Sequence, residues 1–175
     1  MVLTATLEND FSGTLSGFGR AVPCVFGRGG AVADKVEGDG ASPIGRFRLR
    51  SCYWRPDRGP RPATGLPTIP LRAGLGWCDD PGSPLYNRPV RLPFAPGHER
   101  MWREDRAYDL VVVLDQNVDP AVPGRGSAVF WHLTKRDPPT PTEGCVAVSP
   151  SAMRAFLRDC DTRTTMRIRT ASGGA

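Results

Sequence analysis

The sequence predicts a mainly β fold of the α+β class, and three observations predict it. Glycine and proline are abundant, at 20 and 18 of 175 residues, and follow no period, which favours turns between short strands over long helices. The strongest apolar runs are short and β-branched. One stretch near the C-terminus places apolar residues at helical spacing.

The elements follow in order. Leu3 to Leu7 and Thr14 to Phe26 mix β-formers with Gly13, Gly17, Gly19 and Gly27, giving short strands joined by tight turns, and Gly29-Gly30 closes this section. Glu37 to Gly45 is a turn-rich loop entering the alternating strand Arg46-Phe47-Arg48-Leu49-Arg50. From 55 to 96 the prolines are too dense for regular structure. That span reads as a long ordered elaboration carrying Trp77-Cys78-Asp79-Asp80 and Tyr86-Asn87. Tyr108 to Leu114 is the strongest buried strand, and Ser127 to Leu133 is a second, after a glycine turn at Gly124-Arg125-Gly126. A proline-rich loop, Asp137 to Pro141, leads to a third short strand over Cys145 to Val148. Ser149 is an N-cap with Pro150 at the first helical position, and Met153, Phe156, Leu157 and Cys160 fall on one face of the helix that follows. Met166 to Arg169 alternates as a final strand before a frayed tail at 171–175. With no internal repeat and no linker, residues 1–175 read as one domain.

Composition bounds the function. At 39% apolar and 23% charged residues the chain reads as soluble and globular. Its net charge is +5, but the arginines are interleaved with acids, as in Arg103-Glu104-Asp105-Arg106, so no phosphate-facing patch for nucleic acid stands out. No apolar run spans a membrane. Cys24, Cys52, Cys78, Cys145 and Cys160 are scattered and never form a C-x-x-C pair, which speaks against zinc and against a disulfide framework. No signal peptide is seen, so the cytoplasm is the expected location, or the periplasm if the start has lost an upstream leader. No metal or organic cofactor is indicated.

The chain has two histidines, and one of them, His132, stands on a strand thirteen residues before Cys145. Adjacent strands joined by such a loop can bring an imidazole nitrogen to about 3–4 Å from a thiol, where an imidazolium would favour the nucleophilic thiolate. Gly144 would let a substrate carbonyl approach, with backbone N–H groups around Cys145 as an oxyanion hole. Taken alone, the spacing favours a buried structural cysteine and a satisfied histidine.

The segment Pro141-Thr142-Glu143-Gly144-Cys145-Val146-Ala147-Val148, preceded by Phe130-Trp131-His132, resembles the catalytic signature of YkuD-type L,D-transpeptidases. Asp39-Gly40-Ala41-Ser42-Pro43-Ile44-Gly45-Arg46-Phe47 resembles that family's D-G-x-[ST]-P-x-G-x-F segment, in the right order. Further similarity to a subgroup covers Trp77 to Asp80, Tyr86-Asn87, His98-Glu99 and Gly124 to Ser127, so the resemblance runs from about Gly27 to Leu157.

The resemblance implies a fold of mixed β-sheets, sandwich-like, with a helix after the catalytic strand. It also implies a peptidoglycan stem peptide as substrate: Cys145 attacks the carbonyl between meso-diaminopimelate and D-Ala of a tetrapeptide, and His132 serves first as base and then as acid. Thr142 and Gly144 are expected to shape the oxyanion side. Where many members have His before Gly-Cys and Arg after the next aliphatic residue, this chain has Glu143 and Ala147. A carboxylate anchor is therefore sought in Arg125, Arg46 or an arginine of the elaboration, while Glu143 and His98 are placed along the cleft. Three functions are compatible: an L,D-carboxypeptidase using water, an L,D-transpeptidase forming cross-links, and a silent peptidoglycan-binding domain. A carbapenem is the expected covalent inhibitor of the first two.

Overall fold

The structure is a computed structural model describing residues 1–135 and 137–171. The chain runs β1 (Val2–Leu7), β2 (Ser12–Gly17), β3 (Arg20–Val25), β4 (Ala31–Val32), β5 (Ser42–Pro43), β6 (Gly45–Trp54), β7 (Thr68–Pro70), β8 (Leu75–Cys78), β9 (Pro89–Arg91) and β10 (His98–Arg100). It continues with β11 (Leu110–Leu114), β12 (Phe130–Leu133), β13 (Val146–Val148), α1 (Pro150–Leu157) and β14 (Thr165–Thr170). The mainly β expectation is met.

The main sheet closes on itself. Its order is β11-β12-β13-β3-β2-β1-β14-β6, and β11 pairs β6 again, so eight strands form a ring with β7 alongside the far half of β6. Closure removes the open edges that an eight-stranded sheet would expose. The ring is stitched by β1, which runs parallel to β14 from Val2–Thr165 to Leu7–Thr170 and antiparallel to β2. Alternation along these strands turns Leu3, Ala5, Leu15, Met166 and Ile168 inward, all of them buried.

The predicted helix forms where expected. Ser149 accepts a hydrogen bond from the Ala152 amide, Pro150 opens the first turn, and Met153, Phe156 and Leu157 are fully buried against Trp131 and the inner core. Cys160 lies past the helix end but is buried with them.

A second, outer core covers the opposite face of β11 and β12. There Tyr53, Val111, Val113 and Phe130 meet Leu71, Trp77, Met101 and Tyr108. The reading of 55–96 as lacking regular structure is corrected here, because it contributes β7, β8 and β9, and β8 forms a three-stranded sheet with β9 and β10. Short pairings of three or four residues escape pattern reading because prolines sit at their ends, as Pro70 and Pro89 do. The strand expected from Ser127 starts only at Phe130, since Ala128 has φ +51° and breaks the extended backbone. Of the expected frayed tail, residues 172–175 lie outside the described residues.

Candidate active site

The site is assembled on the outer wall of the ring. On β12, Trp131 and Leu133 face the inner core, so alternation turns Phe130 and His132 outward. The following β13 runs parallel to β12 with Trp131 opposite Val146, and this register delivers Cys145, just before β13, beside the outward face of β12. The Phe130 amide donates to Cys145 Sγ at 3.3 Å, and the thiol donates to the Ala128 carbonyl at 3.3 Å.

The turn before Cys145 is over-determined. Gly144 has φ +134°, a region L-residues avoid, and a Cβ there would lie 2.8 Å from the Ala41 carbonyl oxygen. Thr142 Oγ1 donates to the Cys145 carbonyl at 2.6 Å and accepts the Gly144 amide at 3.2 Å. Buried Ser42 donates to the same carbonyl at 3.4 Å and accepts the Gly27 amide at 3.0 Å. Asp39 in turn accepts the amides of Val36 and Ala41 and the Lys35 ammonium, the last at 2.5 Å. The two sequence segments singled out at 39–47 and 141–148 are thus two sides of one support. The Gly144 amide is itself engaged by Thr142, so these two residues shape the turn that presents Cys145.

His132 is buried, and its Nδ1 lies 2.8 Å from the Leu133 carbonyl oxygen. A carbonyl can only accept, so Nδ1 carries the proton and Nε2 is the basic nitrogen. The Tyr108 ring packs edge-on to the imidazole, with centroids 5.2 Å apart. Burial depresses the His132 pKa to about 4. Burial, aided by the negative charge of Glu99, pushes the Cys145 thiol up to about 12. Burial thus favours the neutral thiol and imidazole over the resting ion pair expected from the sequence.

Cys145 and His132 open into one cleft of about 390 Å³, which Thr142, Glu143 and Gly144 also line. Cys145 is 7% exposed, so its sulfur is reachable only through this opening. Glu143 is ion-paired with Arg28 at 2.8 Å on the cleft rim. Three expected residues lie elsewhere. Arg46 is exposed on β6 opposite Arg167, Arg125 is exposed with hydrogen bonds to its backbone alone, from Gln116 and to Val122, and His98 points its Nδ1 at the Pro96 carbonyl outside the cleft. The alternation of β6 turns Arg46 away from the site.

The sequence reading missed Lys35, Arg103, Tyr108 and Lys135 as cleft residues. One signal was available, since Lys35 and Lys135 are the only lysines among 23 basic residues. Arg103 binds Asp105 through two nitrogens, holding that carboxyl down at about 2, and donates to Glu99 Oε1 at 3.1 Å. Tyr108 donates to the same oxygen at 2.7 Å. Asn87 ties the elaboration to the site: its Oδ1 accepts Trp77 Nε1 and the Ala128 amide, and its Nδ2 donates to the carbonyls of Gln116 and Asn117.

Among the described residues no group of three or more His, Cys, Asp or Glu side chains is disposed to hold a metal, and no helix is long and apolar enough to cross a membrane.

Comparison with known proteins gives one family. The model of the L,D-transpeptidase catalytic domain, YkuD, matches residues 17–168. The crystal structure of Mycobacterium tuberculosis L,D-transpeptidase 1 aligns with a TM-score of 0.41 at 13% sequence identity, over 96% of this chain. This chain spans 62% of that one. No curated protein matches.

Proposed function

The chain belongs to the L,D-transpeptidase catalytic domain (YkuD) family, and from that premise we propose that it is an L,D-carboxypeptidase, removing D-Ala from tetrapeptide stems of peptidoglycan through an acyl-enzyme on Cys145. One observation carries the reading: Nδ1 of His132 is committed to the Leu133 carbonyl, which leaves Nε2 as a base in the cleft that holds Cys145 Sγ.

In this reading Nε2 takes the thiol proton as sulfur attacks the carbonyl carbon of the diaminopimelate residue. The tetrahedral adduct collapses, the carbon–nitrogen bond breaks, and the imidazolium returns the proton to the departing amine of D-Ala. Water, deprotonated by the same nitrogen, then attacks the thioester and releases tripeptide and thiol. Because both partners start neutral, proton transfer accompanies attack. The size of the cleft supports water as acceptor: about 390 Å³ accommodates the end of one stem and little of a second. The five free cysteines support a reducing compartment, the cytoplasm, where soluble muropeptides would be the substrates.

Incubating the protein with disaccharide-tetrapeptide and following products by mass spectrometry tests this. Loss of D-Ala without dimers is expected. Dimers or exchange of the terminal amino acid would instead establish transpeptidation, and recovery from the periplasm would point the same way. Carbapenem labelling is expected as a mass adduct that Cys145→Ala abolishes. Its absence, together with no turnover, would leave a binding domain.

A further inference from the structure

We propose that Glu99 and Lys135 form a receptor for a zwitterionic α-amino acid group on the acyl donor, Glu99 taking its ammonium and Lys135 its carboxylate. This rests on the peptidase reading above, and it assigns to Lys135 the carboxylate anchoring that neither Arg46 nor Arg125 is placed to perform.

Most of the charges lining the cleft are already spent. Arg103 is saturated by Asp105 and Glu99. Lys35 is saturated by Asp39 and the Val36 carbonyl, and its burial fits a structural ammonium. Glu143 is held by Arg28, and Glu37 accepts the Tyr86 hydroxyl. Three charges remain open, the carboxylates of Asp79 and Glu99 and the ammonium of Lys135. On Glu99 only Oε1 is engaged, by Tyr108 and Arg103, and Oε2 has no hydrogen-bond partner among the described residues. Among the described residues Lys135 has a single carboxylate neighbour, Asp105 at 3.7 Å, beyond hydrogen-bond length, and Asp105 already has a bidentate partner in Arg103.

The position of the pair fits a specificity role. Glu99 is fixed from behind by Tyr108, whose ring rests on His132, so a group bound at Oε2 is held in register with the base. Asp79 lines the same side of the cleft, and burial with the nearby charge of Glu37 holds its carboxyl above its usual range. That side of the cleft thus presents two carboxylates, Asp79 and Glu99, with only Glu99 Oε1 engaged, and an incoming ammonium can sit between them. A compact ammonium at Lys135, in a chain that otherwise uses arginine, suits a carboxylate approached at a flexible angle.

The test compares three tetrapeptide donors, carrying at the third position free meso-diaminopimelate, its side-chain monoamide, or its side-chain N-acetyl derivative, by kcat/KM for D-Ala release. For the wild type, losing either charge is expected to lower kcat/KM about 10- to 100-fold. Lys135→Ala should bring the acid and the amide to within about 3-fold while keeping the penalty for acetylation, and Glu99→Gln should do the reverse. Each readout is a ratio within one protein, so a partly folded variant does not distort it, and Lys135 is an exposed side chain whose loss leaves the fold intact. Equal use of the three donors by the wild type, or unchanged ratios in both variants, overturns the proposal while sparing the peptidase reading. Release from none of the donors sinks that reading and the receptor with it.

Discussion

Cys145 and His132 rest neutral, at about 12 and about 4, and this governs how the protein responds to pH. Alkylation of Cys145 by iodoacetamide is expected to accelerate continuously from pH 7 to pH 10, because the thiolate fraction keeps growing; a plateau beginning near pH 6 would instead reveal a preformed ion pair. Stability follows the same shifts. The unfolded chain protonates His132 below about 6.5 whereas the folded one resists until about 4, so unfolding free energy falls as pH drops through that window, by at most about 3 kcal/mol. Urea titrations at pH 7 and pH 4.5, with His132→Gln as control, measure it. Thr142→Val removes the hydroxyl that holds the Cys145 carbonyl and the Gly144 amide, and is expected to cost about 1–3 kcal/mol and to reduce D-Ala release. At this scale the sequence was most legible for residues inside one short segment. Thr142, Gly144 and Cys145 are neighbours in the chain, whereas Arg103, held by its own neighbours Glu99 and Asp105, reaches the cleft because its segment pairs with distant β12 through the Leu133 amide and the Ala107 carbonyl.

Among the elements, the proline-rich elaboration is a scaffold for the site. Asn87 gathers four hydrogen bonds from three separate segments and fixes Ala128, whose carbonyl accepts the Cys145 thiol. Asn87→Ala should therefore lower the unfolding free energy measured in urea by about 3 kcal/mol, and also lower kcat/KM in the protein that remains folded. Unchanged kinetics would show that the loop holds itself together without holding the sulfur in place. The helix and the apolar strands were legible because each depends on its own period and cap. The strands β7 to β10 were not, since runs of three or four residues become strands only when a partner across the sheet supplies their hydrogen bonds.

For the whole molecule the decisive feature is that β12 is packed on both faces, with Trp131 and Leu133 in the inner core and Phe130 and His132 against the outer one. Leu3→Ala, inside the ring and far from the cleft, is expected to cost about 2–5 kcal/mol in urea denaturation and leave kcat/KM of the folded protein unchanged. Tyr108→Phe, in the outer layer, should show the opposite balance, with slower turnover and a smaller loss of stability. Ring closure could not be read from the sequence, because the pairing of β11 with β6 joins segments some sixty residues apart. This two-layer arrangement separates what a lineage must keep from what it is free to change. Substitutions in the outer layer can retune donor preference over generations, while the ring that carries folding stays untouched.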